Sequence, residues 1–330
     1  MDIKIICEIA SAHEGSLHDL KSLIDVGHES GADYLKLQIF DFKEFIHSKS
    51  KKFEVLKKVE ISAYEWKKIF DYCYKKNIDL IAEPYDLKSL ELIKDYSNIK
   101  SIKIPTADLN DCNFLECASE FADLIFVGLG GAYIEEISET IKYINQFKHI
   151  KLILMHGFQN FPTKLEDLEL SKIKSIKNEF VHDVGFADHI NAECKELART
   201  IPCMAISMGA KYIEKHITLN RSKKGLDFYS ALNPDEFKDF VSFLKIANKA
   251  IGNNSLEEIS EAEKMYRDNM KKFAILNCDV RFGENLNFNQ VDFKRTDEVG
   301  LTRPMLKRNL KRKIKKFVEC GTVINSDIFE

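Results

Sequence analysis

The stretch Tyr34-Leu35-Lys36-Leu37-Gln38-Ile39-Phe40 is apolar at most positions, yet it carries a lysine and a glutamine two residues apart. It is one of eight short runs of the β type, and stretches with the apolar period of an α-helix lie between them. Near-continuous apolar strands that alternate with amphipathic helices predict a parallel sheet covered on its faces. The eight runs are 3–10, 34–40, 78–83, 99–104, 124–128, 151–156, 183–187 and 212–216.

Eight such units within about 250 residues predict an α/β fold that closes into a (β/α)₈ TIM barrel. An open, doubly wound sheet is the alternative, and it normally carries a glycine-rich phosphate loop after its first strand. The turn at that place reads Ser11-Ala12-His13-Glu14-Gly15-Ser16, which lacks this motif. The closed barrel is therefore the preferred prediction.

The pattern of apolar and polar residues in the sequence changes after Gly252. Residues 253–272 are polar and charged, which predicts a linker with an exposed helix, and short β-rich runs separated by turns follow from Phe273. This last segment is too short to bury a large core of its own. We therefore predict a catalytic barrel at 1–252, a linker and a small β-rich domain at 273–330.

The composition is that of a water-soluble globular protein without a charge bias. Of the 330 residues 45% are hydrophobic and 31% are charged, and the formal net charge is −3. This balance gives no reason to expect nucleic acid or an anionic membrane as a partner. The sequence shows no signal peptide, no apolar run of membrane-spanning length and no Cys-x-x-Cys pair among its eight cysteines. These features predict a cytoplasmic location.

Polar side chains stand at the predicted C-terminal ends of the strands, where barrel enzymes keep their chemistry. Lys36 and Gln38 share one side of the second strand, and Lys103 and Thr106 end the fourth. Two unpaired ammonium groups inside a closed barrel would be costly, and a dianionic substrate would offset that cost. The pattern predicts a pocket for a phosphate, alone or with a carboxylate. Glu83 is interpreted only as the end of the third strand.

Two histidines at neighbouring strand ends suggest a metal site. His189 follows the seventh strand and His216 ends the eighth, so their imidazoles can meet on one ion. Two imidazoles with open coordination positions suit Mn²⁺, Mg²⁺ or Zn²⁺ acting as a Lewis acid. The spacing is not that of a structural zinc site. We therefore predict a divalent metal cofactor, and the residues alone leave Mn²⁺, Mg²⁺ and Zn²⁺ open.

The same residues lie in stretches that resemble the sialic acid synthase family, which makes N-acetylneuraminate, legionaminate and pseudaminate. The order and spacing of the stretches match across the barrel, and residues 291–295 and 327–328 resemble the family's C-terminal antifreeze-like (SAF) domain. The resemblance covers nearly the full chain and implies a TIM barrel followed by a small β-rich SAF domain. The matching stretches are EIASAHEG at 8–15, GADYLKLQ at 31–38, KIPT at 103–106, FPT at 161–163, GFADH at 185–189, IEKH at 213–216 and LNPD at 232–235.

The resemblance implies a role for individual residues. Arg295 matches an arginine that the SAF domain extends into the barrel of the other subunit, which implies a domain-swapped homodimer. Glu14 matches an acidic residue near the reacting carbons and is the implied base for the attacking water. The other matches are Lys36, Lys103 and Thr106 for phosphoenolpyruvate, with Gln159 at a related polar position, His189 and His216 for the metal, and Gln38, Phe161, Glu214 and Asp227 for the sugar.

Three positions depart from the family's usual pattern. Gly128 begins the segment where a phosphate-binding Ser-Thr-Gly is common, Ala187 stands where a serine usually precedes the Asp-His pair, and Phe161 replaces a tyrosine of the sugar pocket. The backbone N–H groups of Gly130 and Gly131 are candidate replacements for one lost hydroxyl. The departures bear on the identity of the sugar more than on the reaction class.

The function implied by these residues is that of a transferase in sialic acid biosynthesis. Phosphoenolpyruvate would condense with an open-chain N-acetylated hexosamine such as N-acetylmannosamine, and phosphate would be released. Two alternatives stay open. One is a phosphoenolpyruvate-dependent synthase of another deoxy-keto sugar acid, and the other is a degenerate barrel that binds a sugar without turnover.

Overall fold

A closed barrel of parallel strands forms the centre of the first part of the chain in the computed structural model, which describes residues 2–158, 160–252 and 255–330. The strands are β1 Lys4–Glu8, β2 Tyr34–Ile39, β3 Leu80–Pro84, β4 Ser101–Ile104, β5 Leu124–Gly128, β6 Lys151–His156, β7 Asp183–Asp188 and β8 Ala210–His216. Each strand pairs with the next, and β8 pairs with β1. The predicted TIM barrel is confirmed, with strand bounds within two residues of the predicted ones, and the doubly wound sheet is excluded.

Helices cover the outside of the barrel because their apolar residues recur on one face. In α4 the buried residues are Trp66, Ile69, Phe70 and Cys73, the spacing of a single helical stripe. No helix of the described ranges combines the length and the apolar content that crossing a bilayer demands. The helices of the first unit are α1 Leu17–Glu29, α2 Phe42–Phe45, α3 Phe53–Val59, α4 Ala63–Lys75, α5 Leu87–Lys94, α6 Cys112–Ser119, α7 Ile134–Ile144, α8 Lys172–Phe180, α9 Lys195–Ser207 and α10 Pro234–Asn248. Two further helices, α11 Glu261–Met270 and α12 Arg303–Asn309, belong to the C-terminal part of the chain.

The inside of the barrel has an apolar floor. Phe126 of β5 belongs to it, and its ring lies edge-on to Tyr212 at 5.2 Å and to Tyr34 at 6.3 Å between centroids. Ile6, Ile81, Ile153, Met155 and Ala187 complete this buried cluster. Aromatic and branched side chains fill the barrel, so it is a packed core rather than a channel.

A charged layer lies above this floor because side chains two residues apart in a strand point to the same side. Glu8 comes two residues after Ile6, and Glu214 comes two residues after Tyr212. Both glutamates lie at the C-terminal ends of their strands and are buried. The strand period therefore brings ionisable groups to the end of the barrel where barrel enzymes hold their active sites.

The chain divides into two compact units, Met1–Asn253 and Asn254–Glu330. In the second unit, β9 Phe273–Leu276 pairs antiparallel with β10 Val291–Lys294, and isolated bridges join further short segments. Leu276, Leu306 and Ile324 belong to its small apolar core. This unit has its own packed interior and contains both α11 and α12.

Candidate active site

A buried group of two lysines and three glutamates, here called the lysine–glutamate cluster, lies at the C-terminal end of the barrel. Lys36 Nζ contacts Glu8 and lies 2.6 Å from Glu83 Oε2 and 3.1 Å from Glu214 Oε1. Lys103 Nζ lies 2.8 Å from Glu214 Oε1 and 3.7 Å from Glu83 Oε1. None of the five side chains is more than 9% exposed. The five charges therefore interact in a medium from which water is largely excluded.

The register of the barrel creates this cluster. Glu8 in β1 is the direct neighbour of Lys36 in β2 and of His216 in β8. Gln38 in β2 is the neighbour of Glu83 in β3, and its Nε2 donates a hydrogen bond of 3.3 Å to Glu83 Oε2. Parallel pairing of consecutive strands thus sets carboxylates beside each lysine.

The pairing of the lysines corrects the sequence-based argument about them. Lys36 and Lys103 were expected to lie unpaired until a substrate arrived, but carboxylates already neutralise both. Glu83, interpreted only as a strand end, contacts both lysines and lines the same cavity. Glu8 was missed as well, although its place in a strand beside Lys36 was a signal for it. A buried ammonium group needs a partner, and neighbouring strands are where a parallel barrel supplies one.

The charges of Glu214 and Lys103 stabilise each other, whereas burial lowers the pKa of Lys36 despite the glutamates beside it. Burial alone would raise the pKa of Glu214, but Lys103 and Lys36 hold that pKa well below its usual range. Burial alone would lower the pKa of Lys103, but Glu214 and Glu83 raise it above its usual range. Glu214 is therefore a carboxylate and Lys103 an ammonium group at neutral pH.

His189 and His216 lie beside each other with ring centroids 5.2 Å apart. Burial lowers the pKa of His189 to about 3 and that of His216 well below its usual value, so both imidazoles are neutral. The ring of Phe161 stands edge-on to both, at 4.9 and 5.5 Å. Within the described residues, the buried Nδ1 of His189 has no hydrogen-bond partner.

Buried polar contacts fix the backbone around the two histidines. Asp188 and Lys215, which precede them in the sequence, form a fully buried ion pair of 2.8 Å between β7 and β8. The Ser230 hydroxyl donates a 2.6 Å hydrogen bond to the carbonyl of His189. These contacts fix the ends of two strands, and with them the direction in which the imidazoles project.

The histidine pair fits a divalent metal. A metal ligand must be a neutral imidazole with a free ring nitrogen, and the unpartnered Nδ1 of buried His189 meets this requirement. Among the described residues, no set of three or more His, Cys, Asp or Glu side chains is arranged to hold an ion. The pair would therefore leave several coordination positions to water or substrate, as catalytic metals require.

Two adjoining cavities open above the cluster, with volumes of about 220 and 340 Å³. Gln38 and His216 line both of them, so the cavities form two compartments of one cleft. The first compartment is lined mainly by Lys36, Glu83, Lys103, Thr106, Gly128, Gly130, Ala187, His189 and Glu214. The second is lined mainly by Ser11, Phe40, Lys52, Leu56, Phe161 and Asp227.

Two predicted site residues, Glu14 and Arg295, are not among those that line the cleft, and a third is not described. Glu14 is exposed in the turn after β1, with its carboxylate against Gly225, and it is not among the residues that line either compartment. Arg295 is exposed directly after β10, in the second unit. Gln159 lies outside the described residues. The other nine predicted residues line the cleft.

His13, in the same turn, makes stability depend on pH. Burial lowers its pKa from the ordinary 6.5 to about 4, and its Nδ1 accepts a hydrogen bond from the Gly15 N–H. The unfolded chain takes up this proton at the ordinary pKa, so the contribution of neutral His13 is present above about pH 6.5 and is lost as the pH falls toward 4. We expect His13→Asn to remove about 2 kcal/mol of the stability loss between pH 7 and pH 5, measured by urea unfolding. His47→Asn, which changes an exposed histidine, is the control, and an equal effect of the two would contradict the assignment.

Gly130 allows close packing of the loop that follows β5. A Cβ atom there would lie 2.3 Å from the Gly157 carbonyl oxygen and 2.3 Å from Phe158 Cβ. We expect Gly130→Ala to lower the free energy of unfolding by about 1–3 kcal/mol, because backbone must shift to admit the methyl group. At Gly128 the nearest atom is Thr106 Oγ1 at 3.2 Å, so Gly128→Ala should cost less. Denaturant titration of both variants tests this order.

Comparison with known proteins places the chain among named synthases. The model of the NeuB family matches residues 23–256. An uncharacterized protein of Methanocaldococcus jannaschii is 30% identical over 98% of this chain and 93% of its own length. The N,N'-diacetyllegionaminic acid synthase of Campylobacter jejuni is 28% identical over 88% of this chain and 90% of its own length.

Solved structures extend the likeness to three dimensions. The N-acetylneuraminic acid (sialic acid) synthetase of Leptospira borgpetersenii, determined with citrate, has a TM-score of 0.74 and 26% identity, over 82% of this chain and 93% of that one. A spore coat polysaccharide biosynthesis protein E of Chromobacterium violaceum superposes over the full length of both chains with a TM-score of 0.85. Its 23% identity supports the fold alone. The resemblance found in the sequence is thereby confirmed: the chain belongs to the NeuB family and is an enzyme of the synthase type.

Proposed function

We propose that this enzyme condenses phosphoenolpyruvate with an open-chain N-acetylated hexosamine to form a sialic-acid-like sugar acid and phosphate. The observation that carries the proposal is the divided cleft, whose two compartments meet at Gln38 and His216. A condensation needs two different substrates held side by side, and orientation of reactants is a large part of catalysis. The related proteins named as legionaminic acid and sialic acid synthases support the same reaction.

The first compartment suits the three-carbon donor. Lys36 and Lys103 supply the cationic groups of this compartment, and Thr106 adds a hydroxyl beside Gly128. Ammonium groups and short polar groups are the usual partners of phosphate and carboxylate oxygens. We assign the phosphate and carboxylate of phosphoenolpyruvate to this compartment, with Lys36 and Lys103 as the catalytic cations.

The second compartment suits a sugar chain. Gln38 offers an amide and Asp227 a carboxyl group whose pKa is raised by burial, so both can hydrogen-bond to hydroxyls. Phe161 gives an apolar ring that can pack on C–H groups of the sugar. We assign these three residues to binding of the acceptor, and we assign Glu214 to a position beside the acceptor's reacting carbonyl group. The absence of a phenol at Phe161 favours an acceptor with an apolar group at that point.

The proposed chemistry balances with one water molecule. Carbon 3 of phosphoenolpyruvate attacks the aldehyde carbon of the sugar, water adds to carbon 2, and phosphate leaves with its bonding pair. One proton of the water ends on the new hydroxyl and the other on phosphate, and a keto acid remains. Lys36 and Lys103 hold the phosphate throughout, and preorganised charge of this kind contributes several kcal/mol to such reactions. Glu14 lines neither compartment, so we assign it no part in this step.

His189 and His216 would hold the divalent metal that we propose as cofactor, Mn²⁺ or Mg²⁺. When bound, such an ion supplies Lewis acidity toward an aldehyde oxygen. The chain's own contribution is to present two neutral imidazoles, to keep bulk water away with Phe161 and to fix both rings from the backbone.

We also propose that residues 273–330 form an SAF domain and that the enzyme is a domain-swapped homodimer. The short antiparallel pair β9–β10 and the small apolar core are consistent with such a domain. Exposed Arg295, directly after β10, is a cation available to a second subunit. Light scattering of the full chain tests the dimer, and Arg295→Ala should raise the KM of a substrate if the arginine completes the cleft.

The test of the proposed function is a substrate screen. Purified protein is incubated with phosphoenolpyruvate, Mn²⁺ and a panel of N-acetylated hexosamines, and released phosphate is measured. Phosphate release that depends on one of these acceptors supports the proposal. Release only with phosphorylated or non-acetylated sugars would favour a synthase of another deoxy-keto sugar acid. Binding of a sugar without release in any mixture would favour a barrel without turnover.

A further inference from the structure

Glu83 lies between the two ammonium groups of the lysine–glutamate cluster. One of its oxygens is 2.6 Å from Lys36 Nζ, and the other is 3.7 Å from Lys103 Nζ. Gln38 Nε2 and the Tyr85 hydroxyl hydrogen-bond to the same carboxylate at 3.3 and 3.4 Å. Glu83 thus occupies a place from which an incoming anion would reach both lysines.

Carboxyl groups already occupy the space around the two lysines. Three glutamate side chains, those of Glu8, Glu83 and Glu214, contact Lys36, and two of them also lie beside Lys103. A phosphate dianion entering this compartment would compete with these carboxyl groups for both lysines. Replacing one glutamate by a neutral side chain would free an approach to the lysines.

The three glutamates differ in their access to the cavity. Glu8 is fully buried beneath the cavity and is not among its lining residues. Glu83 and Glu214 both line the cavity and contact both lysines. Glu214 holds Lys103 through both of its oxygens, at 2.8 and 2.9 Å, whereas Glu83 lies 3.7 Å from Lys103. Glu83 is therefore the carboxylate that an entering anion displaces from Lys103 more easily.

We propose that Glu83 is a specificity-determining residue that competes with the anionic group of the donor for Lys36 and Lys103. The affinity of the cleft for a phosphorylated donor is set by this competition, so the enzyme binds free phosphate weakly and takes a donor whose further contacts offset the loss of Glu83. The proposal rests on the proposed function, since it takes the lysine-lined compartment as the donor site.

The test compares the wild-type enzyme with Glu83→Gln, which keeps the shape of the side chain and removes its charge. Inorganic phosphate and phosphoenolpyruvate are titrated into each protein by calorimetry at fixed salt. We expect Glu83→Gln to bind inorganic phosphate at least about tenfold more tightly, a change of about 1.4 kcal/mol. The KM for phosphoenolpyruvate should fall with it. Glu91→Gln, which removes the same charge from an exposed position of α5, should behave as wild type.

Equal or weaker phosphate binding by a folded Glu83→Gln variant would overturn the proposal. If that variant does not fold, Glu83→Thr, which is neutral and smaller, carries the same comparison. Failure of the proposed function would give a different result, because the wild-type enzyme would then release no phosphate with any acceptor. The comparison of phosphate affinity between the wild-type protein and Glu83→Gln does not depend on turnover, so it still tests the role of Glu83.

Discussion

Lys36→Met is expected to lower the free energy of unfolding by about 3–5 kcal/mol, the largest stability effect of any single change considered. The substitution leaves Glu8, Glu83 and Glu214 close together with too little positive charge to balance them. Like charges in a buried site repel strongly because little water screens them. Urea unfolding at pH 7 measures the loss. Lys88→Met breaks an exposed ion pair and should cost less than about 1 kcal/mol.

A double variant separates charge from packing. Lys36→Met combined with Glu83→Gln removes one positive and one negative charge together, so it should be less destabilised than the sum of the two single variants. Additive losses would mean that the two side chains do not interact as the 2.6 Å distance between them requires. A loss below about 1 kcal/mol for Lys36→Met alone would contradict an ionised cluster.

His216→Asn is expected to reduce turnover by about a thousandfold or more. His216 lines both compartments and shares the proposed metal with His189, and Lewis acid catalysis contributes several kcal/mol, with each 1.36 kcal/mol worth a factor of ten. Phosphate release with both substrates saturating measures the effect. The free energy of unfolding should change little, because a neutral buried asparagine replaces a neutral buried histidine.

His156→Asn is the matched control for this variant. His156 also ends a barrel strand and is partly buried, but its Nε2 is bonded to the Leu168 carbonyl at 2.8 Å and it lines neither compartment. The turnover of the His156→Asn enzyme should stay within a few fold of that of the wild-type enzyme. A His216→Asn enzyme that kept near-wild-type turnover with added metal would remove both histidines from the mechanism.

The fold could be predicted from the sequence because its signals are local. The apolar run around Lys36 and the seven runs like it mark the strands without any knowledge of distant residues. The bounds of β5 and β6 are those predicted, and β4 is shorter at its start, where Ile99 precedes the first paired residue, Ser101. The end of a strand depends on its pairing with neighbouring strands, and the run of apolar residues carries no information about that pairing.

The candidate site could be predicted only in part because its partners are distant in sequence. Lys103 and Glu214 are 111 residues apart, and only closure of the barrel brings them together. Strand-end position was enough to find Lys36, Lys103, His189 and His216, but the charge of the site depends on Glu8 and Glu83, which received no role. The local field thus differs from the one that the lysines alone suggested, because carboxyl groups lie beside both of them.

The central claim is that the two compartments of the cleft join a three-carbon donor to a sugar aldehyde. The most direct measurement is the mass spectrum of the product formed from phosphoenolpyruvate and each N-acetylated hexosamine in the presence of Mn²⁺. The account predicts a product with the mass of the acceptor plus one pyruvate unit, formed with one phosphate released per molecule. Unchanged sugars and intact phosphoenolpyruvate in every mixture, from a folded protein that binds both, would contradict it.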